Sequence, residues 1–232
     1  MATHTDKAFE ADLNEIRTKI LTMGARIEGQ ISASMYAVTH RDSTLAEKVK
    51  DDDLEVNRLE VEIDELCRRT LALRHPAAND LRFITTALKI VTDLERMGDA
   101  AVNIAERAID LNHSTPLQVA NGLPRLATLA QDAVRTALNA FVTGNAVAAE
   151  EVLGHDEQID ALFVEIFNQM LAMMIENSDT IRRATSLLSV SKHLERIGDH
   201  AMNVAEMVIY MVRGTDIRHP RSRSLPRAPQ KL

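Results

Sequence analysis

The sequence predicts an all-α fold, a tandem repeat of two three-helix bundles with six long helices. Three observations predict it. Apolar residues recur at three- and four-residue intervals, and strand-like alternation is absent. Turn formers are scarce: the 232 residues include eight Gly and six Pro, and Pro220, Pro226 and Pro229 crowd together near the end, so the elements must be few and long. Finally, the chain repeats itself. "DLERMGDAAVNIAE", from Asp93, returns as "HLERIGDHAMNVAE", from His193, and Asp80 to Glu106 aligns without gaps on Thr180 to Glu206 with 12 identities in 27 positions. Upstream the offset becomes 103, which lays "EVNRLEVEI" (Glu55 to Ile63) over "QIDALFVEI" (Gln158 to Ile166).

The first helix is expected near 6–39, from the series Ile16, Ile20, Met23, Ile27. A second follows near 43–73, opened by Thr44 with Glu47 as a capping box and carried by Leu59, Ile63, Leu66 and Leu71. The third, near 79–112, begins at Asn79 after "HPAA" and stops before Thr115-Pro116. A fourth covers 123–143 and ends at Gly144-Asn145. The fifth runs through 146–176, and the sixth through 179–213 behind Ser178. Thirty residues of helix make a rod of about 45 Å. Residues 1–112 thus form the first repeat, 113–122 a linker and 123–213 the second repeat. The basic, Pro-rich stretch 214–232 is expected to be disordered.

Composition narrows the function. Cys67 is the only cysteine, which excludes an internal disulfide and a thiolate metal cage and fits a reducing compartment. No signal-peptide run is present, nor eighteen successive apolar residues, so a cytoplasmic protein without direct membrane insertion is expected. The net charge of -7 and the seven aromatics argue against nucleic-acid binding. A homodimer is compatible with the Met-containing faces, although periodicity defines no interface.

The chemistry sits in acids at helical spacing. Glu95 and Asp99 lie about 40° apart on one helix face, with Glu106 between them in direction. Asp53, Asn57, Glu60 and Asp64 stripe the preceding helix, and the second copy supplies Asp156 with Asp160 and Glu195 with Asp199. A single such pair is ordinarily a solvated helix face. Here the like-charge cost of a few tenths of a kcal/mol recurs at equivalent places in both copies, among Leu, Ile, Val and Ala, and a cation would offset it. Oxygen donors suit magnesium, calcium, manganese or iron, and zinc remains open through carboxylates. His193 and His200 read as surface histidines rather than ligands. Gly98 and Gly198 each cost a helix interior roughly 1 kcal/mol. Close helix packing and room for a metal cluster both account for them. Arg96 and Arg196 fall on another face, paired or exposed, with a grip on a partner as the alternative.

The stretches "HPAANDLRFITTALKIVTDLERMGDAAVNIAE", "LLSVSKHLERIGDHAMNVAE" and "VRGTDIRH" resemble the PhoU family of bacterial phosphate-transport accessory proteins, over residues 6 to 219. The resemblance implies the two-bundle fold and a regulator rather than a catalyst. Such a regulator represses the phosphate-starvation regulon and links the ATPase subunit of the phosphate importer to a membrane sensor histidine kinase. It also implies metal clusters on E/D-x-x-x-D motifs, which fall on Glu95 with Asp99, Glu195 with Asp199, and Asp156 with Asp160. The fourth motif departs: Asp53 is followed by Asn57, a neutral donor that should hold a cation less strongly, and Phe163 stands where the first copy has Glu60. Unequal sites are expected.

Two other functions compete. A carboxylate-bridged di-metal enzyme on a helical bundle would use Glu-x-x-His motifs, but no Glu here is followed three residues later by His, and no P-loop or activated nucleophile is visible. A metal-free helical adaptor, with its acids merely solvated, remains compatible with the sequence.

Overall fold

The apolar periodicity becomes helix along nearly the whole described chain. In the computed structural model, which describes residues 7–74, 76–117, 122–215 and 217, α1 spans Lys7–His40, α2 Ser43–Arg74 and α3 Ala78–Asn112. The second repeat follows with α4 Gly122–Thr143, α5 Ala146–Leu153, α6 Asp156–Glu176 and α7 Ile181–Arg213, with a 3-10 turn at Ser178–Thr180 leading into α7. Among the described residues there is no strand. Of the expected linker, 118–121 lie outside the described residues, as does most of the tail expected to be disordered.

The fifth expected helix, 146–176, is interrupted. At Gly154 and His155 the amides bond three residues back, to the Glu151 carbonyl at 3.1 Å and the Val152 carbonyl at 2.9 Å, so the rod tightens locally before α6 begins. Gly154 weakens the helix there, whereas Asp51, its counterpart 103 residues earlier, lies inside an unbroken α2. As a consequence Asp156 stands in the first turn of α6.

Three helix starts differ from expectation. Asp42 caps α2, its Oδ1 accepting from the Leu45 amide at 2.9 Å, while Glu47 pairs instead with Lys50 at 3.0 Å. Thr44 and Glu47 therefore form no capping box. α3 starts behind Ala77 without a side-chain cap, and the Asn79 side-chain Oδ1 accepts from Arg82 at 2.6 Å. Asn177, not Ser178, caps the turn into α7 by accepting from the Asp179 amide at 3.0 Å. In each case a neighbouring Asx side chain, or none, takes the role assigned to the first plausible polar residue.

The repeat is visible in the turns. Asp42 and Asn145, 103 residues apart, cap equivalent helices. Just before them Arg41 and Gly144 share a left-handed backbone, with φ of 58° and 62°. Gly144 adopts it freely. Arg41 is held there by its guanidinium, which donates to the carbonyls of Asn112 at 2.8 Å and Ser114 at 2.6 Å and so closes the end of α3.

α3 and α7 form the spine. α3 packs on α1, α2 and α7, while α7 packs on α4, α5 and α6, and α1 meets α4. The two bundles therefore share one continuous apolar core, including stacked Phe83 and Phe141 rings 5.1 Å apart. Gly24 lets α1 approach the Leu138 side chain, where a methyl group would collide. Cys67 is fully buried and its thiol is pushed by that burial to about 12, which makes it inert.

Candidate functional site

In the first repeat the acids of α2 and α3 face one another, and α1 adds a residue that the sequence reading missed. Gln30 is 5% exposed and, with Ser34, is one of two polar residues in the buried, mainly apolar series of α1. Its Nε2 donates to Asp53 Oδ1 at 3.3 Å, and its Oε1 is buried without a hydrogen-bond partner. A polar residue three positions beyond Ile27 was the available signal, because that spacing points it into the core. Asn57 donates to Asp53 Oδ2 at 3.1 Å, so both oxygens of Asp53 are held by amides. Across the groove, Glu95 pairs with Arg96 at 3.5 Å, and the Asp99 backbone carbonyl accepts from Asn103 at 2.7 Å.

The facing side chains act on one another's ionisation. Burial raises the Asp53 carboxyl above its ordinary range; Gln30 opposes this, Asp99 adds to it and Asn57 opposes it. Glu95 is raised by burial, then by Asp99, with Arg96 opposing and Glu60 and Asp53 adding smaller pushes. Gly98 explains the closeness. A Cβ there would stand 3.1 Å from Asp53 Oδ1, 3.3 Å from Val56 and 3.5 Å from Gln30 Oε1.

The second repeat places Asp156 and Asp160 of α6 near Glu195 and Asp199 of α7. Asp156 is raised by burial and then by Asp160, Glu157 and Glu195. Asp199 retains solvent contact, yet its carboxyl is held up at about 6, first by desolvation, then by Glu195, with Lys192 opposing. Glu195 is the buried member, 9% exposed. Lys192 Nζ lies 2.7 Å and 2.6 Å from its two oxygens, so a lysine one turn earlier already supplies part of the offsetting charge. Gly198 contacts no acid. A Cβ there would lie 2.8 Å from Ile159 Cδ1, and close helix packing accounts for this glycine.

Every donor in these edges is oxygen, which suits a hard cation. The unpartnered Gln30 Oε1 also fits a missing positive group. As the side chains stand, however, no three Asp, Glu, His or Cys residues among those described come close enough to hold a metal ion. The facing carboxylates of each repeat would have to move together to hold a cation. Asp64, the far end of the α2 stripe, is engaged with Arg68 instead.

The histidines are not simple surface residues. His200 Nδ1 meets Asp93 Oδ1 at 2.8 Å, and Asn203 donates to the same oxygen at 3.3 Å, tying α7 to α3 across the two repeats. His193 is half-buried, and its pKa is lowered first by burial, then by Arg196 and Arg107. A helical wheel for one helix cannot show what the other repeat places opposite, so sequence reasoning missed this tie.

Comparison with known proteins agrees with the two-repeat fold. The PhoU domain family model matches residues 20–108 and 123–208, one match per repeat. The chain is 40% identical over 218 residues to the phosphate-specific transport system accessory protein PhoU homolog of Pseudomonas putida, covering 93% of this chain and 85% of that one. A protein of the same description from Clostridium acetobutylicum is 37% identical, covering 92% of this chain and 98% of that one. The crystal structure of PhoU from Pseudomonas aeruginosa superposes with TM-score 0.85 at 38% identity, covering 89% of this chain and all of that one. The phosphate transport system regulatory protein PhoU of Streptococcus pneumoniae gives TM-score 0.85 at 27% identity, over 91% of this chain and all of that one.

Proposed function

The chain belongs to the PhoU family, and on that premise we propose that it is a regulatory accessory protein of phosphate transport, a cytoplasmic adaptor rather than an enzyme. In this reading it represses the phosphate-starvation response when phosphate is plentiful. One bundle faces the ATPase subunit of the importer and the other a membrane sensor histidine kinase, so that transporter state biases the kinase. A signal passes only if the adaptor binds differently to different transporter states. The long, rigid double bundle with a shared core supports this reading, since a force or contact at one end is carried by packed helices rather than by a loose linker.

The acidic edges are the metal-binding part of the proposal. Asp53, Glu95 and Asp99, with Asn57 beside them, would hold a cation in the first repeat; Asp156, Asp160, Glu195 and Asp199 would hold one in the second. The ion, magnesium, manganese, iron or zinc, would supply the positive charge that these grooves lack. This reading is supported by Asp53 facing Asp99 across α2 and α3 and Asp156 facing Glu195 across α6 and α7, and by burial that raises the equivalent carboxyls of Asp53 and Asp156, because groups kept above their ordinary range are those that a cation stabilises most. Asn57 and Lys192 make the two sites unequal. The adaptor reading is tested by capture of the transporter ATPase subunit with and without nucleotide. Affinity that changes with nucleotide state supports it, and affinity that does not change sinks it.

A further inference from the structure

The outer side of α6 is apolar and has nothing packed on it among the described residues. α6 meets the rest of its bundle through Ile159, Leu162, Ile166 and Met170, all buried. Val164, Phe167, Leu171 and Ile175 point away from that seam and are 54%, 43%, 43% and 79% exposed. Their three- and four-residue spacing keeps them on one stripe along about three turns. The first repeat shows that the fold does not demand such a stripe. At the positions 103 residues earlier, exposed Val61 matches Val164, but Asp64 stands for Phe167, Arg68 for Leu171 and Ala72 for Ile175, and Asp64 and Arg68 are ion-paired on the surface of α2.

The charge around the stripe selects its occupant. α6 itself has no Lys or Arg but five acids, Asp156, Glu157, Asp160, Glu165 and Glu176. Lys192, which lies 5.5 Å from the Phe163 ring centroid, is committed to Glu195. Anionic lipid would be repelled by such a rim, and a second copy would bring the same acids against themselves. The basic segment 218–232 of this chain has only Leu225 and Leu232 with which to fill an apolar stripe.

We propose that this face of α6 is a docking surface for an amphipathic helix of another protein, one whose apolar stripe is flanked by Lys or Arg. The inference deepens the adaptor reading by naming a surface and the chemistry of its partner, and it does not depend on metal binding. The test uses the full chain and a fluorescent synthetic helix of about 20 residues, with Leu along one stripe and Lys flanking it. A second peptide carries Glu for Lys. Anisotropy should show the Lys peptide binding at least about tenfold more tightly than the Glu peptide. The double variant Phe167→Asp/Leu171→Arg transplants the ion pair of the first repeat and so keeps the helix intact. It should weaken the Lys peptide by about tenfold or more with helicity and Tm unchanged. Equal binding by this variant, or equal binding of the two peptides, would overturn the proposal. So would a wild-type dimer in sedimentation velocity that the variant abolishes, which gives the face to a second copy, or peptide binding seen only after residues 218–232 are removed, which gives it to the tail. Failure of nucleotide-dependent transporter capture would sink the adaptor reading and leave these peptide results standing.

Discussion

Replacing Asp199 by asparagine should stabilise the metal-free chain at neutral pH and leave it unchanged in acid. The carboxyl is held at about 6 in the folded chain against an ordinary 3.8, because partial desolvation and the Glu195 charge both disfavour its ionised form. Between those values the folded state keeps a proton that the unfolded chain has released, so stability falls as pH rises through the window, and the whole penalty is present above about 6. Taken at face value the difference is an upper limit of about 3 kcal/mol. Asp199 retains solvent contact, and screening reduces that to about 1 kcal/mol, or roughly 2–4 °C in Tm for a chain of this size. The assay is thermal unfolding by circular dichroism with chelator present, for wild type and Asp199→Asn, at roughly pH 7.5 and roughly pH 3.5, on either side of the titration. The asparagine variant should melt higher at the first pH and identically at the second. A gain of the same size at both, or a loss at neutral pH, would refute the reasoning that like charge and desolvation are concentrated at this carboxylate.

Three further outcomes follow from the packing. Gly198→Ala gains about 1 kcal/mol of helix propensity but drives a methyl to 2.8 Å from Ile159 Cδ1, an overpacking cost of about 1–3 kcal/mol. Urea unfolding should show a net loss that Ile159→Val reverses, and additivity of the two changes would contradict the contact. Arg41→Ala should destabilise more than Arg41→Gly by about 1 kcal/mol, since both lose the bonds to Asn112 and Ser114 but only glycine accepts the φ of 58° without strain; equal denaturation midpoints would argue against the left-handed turn. Asp93→Ala removes the shared acceptor of His200 and Asn203 and should cost about 1–3 kcal/mol, with Asp93→Asn losing less because its Oδ1 still accepts. An alanine variant as stable as wild type would remove the tie between the repeats.

The sequence carried the helices well because their signal is local. Ile16, Ile20, Met23 and Ile27 are spaced for one face, and all four are fully buried. The tandem repeat is legible in the acids and in Gly98 and Gly198 of the sequence itself. What was hidden is what depends on a partner helix. Gln30 belongs to α1, which holds no acidic motif, yet it reaches Asp53 across the bundle. Lys192 is one turn from Glu195 but became visible as its counter-ion only when Glu195 was seen to be buried. Gly98 and Gly198 look identical in sequence and face different neighbours, an acid and an amide in one repeat and an isoleucine in the other. The break in the fifth rod turned on Gly154, one residue in a strongly helical stretch, where local hydrogen bonding outweighed periodicity.

Cation binding by the facing carboxylates of the two repeats is the proposal on which the metal reading stands. Isothermal titration of chelator-stripped protein with manganese tests it directly, comparing wild type with Asp99→Asn/Asp199→Asn. Saturable heat with two inequivalent sites in wild type, weakened about tenfold or more in the variant, is the predicted result. Titrations without saturable heat in either protein, or identical ones in both, would contradict it.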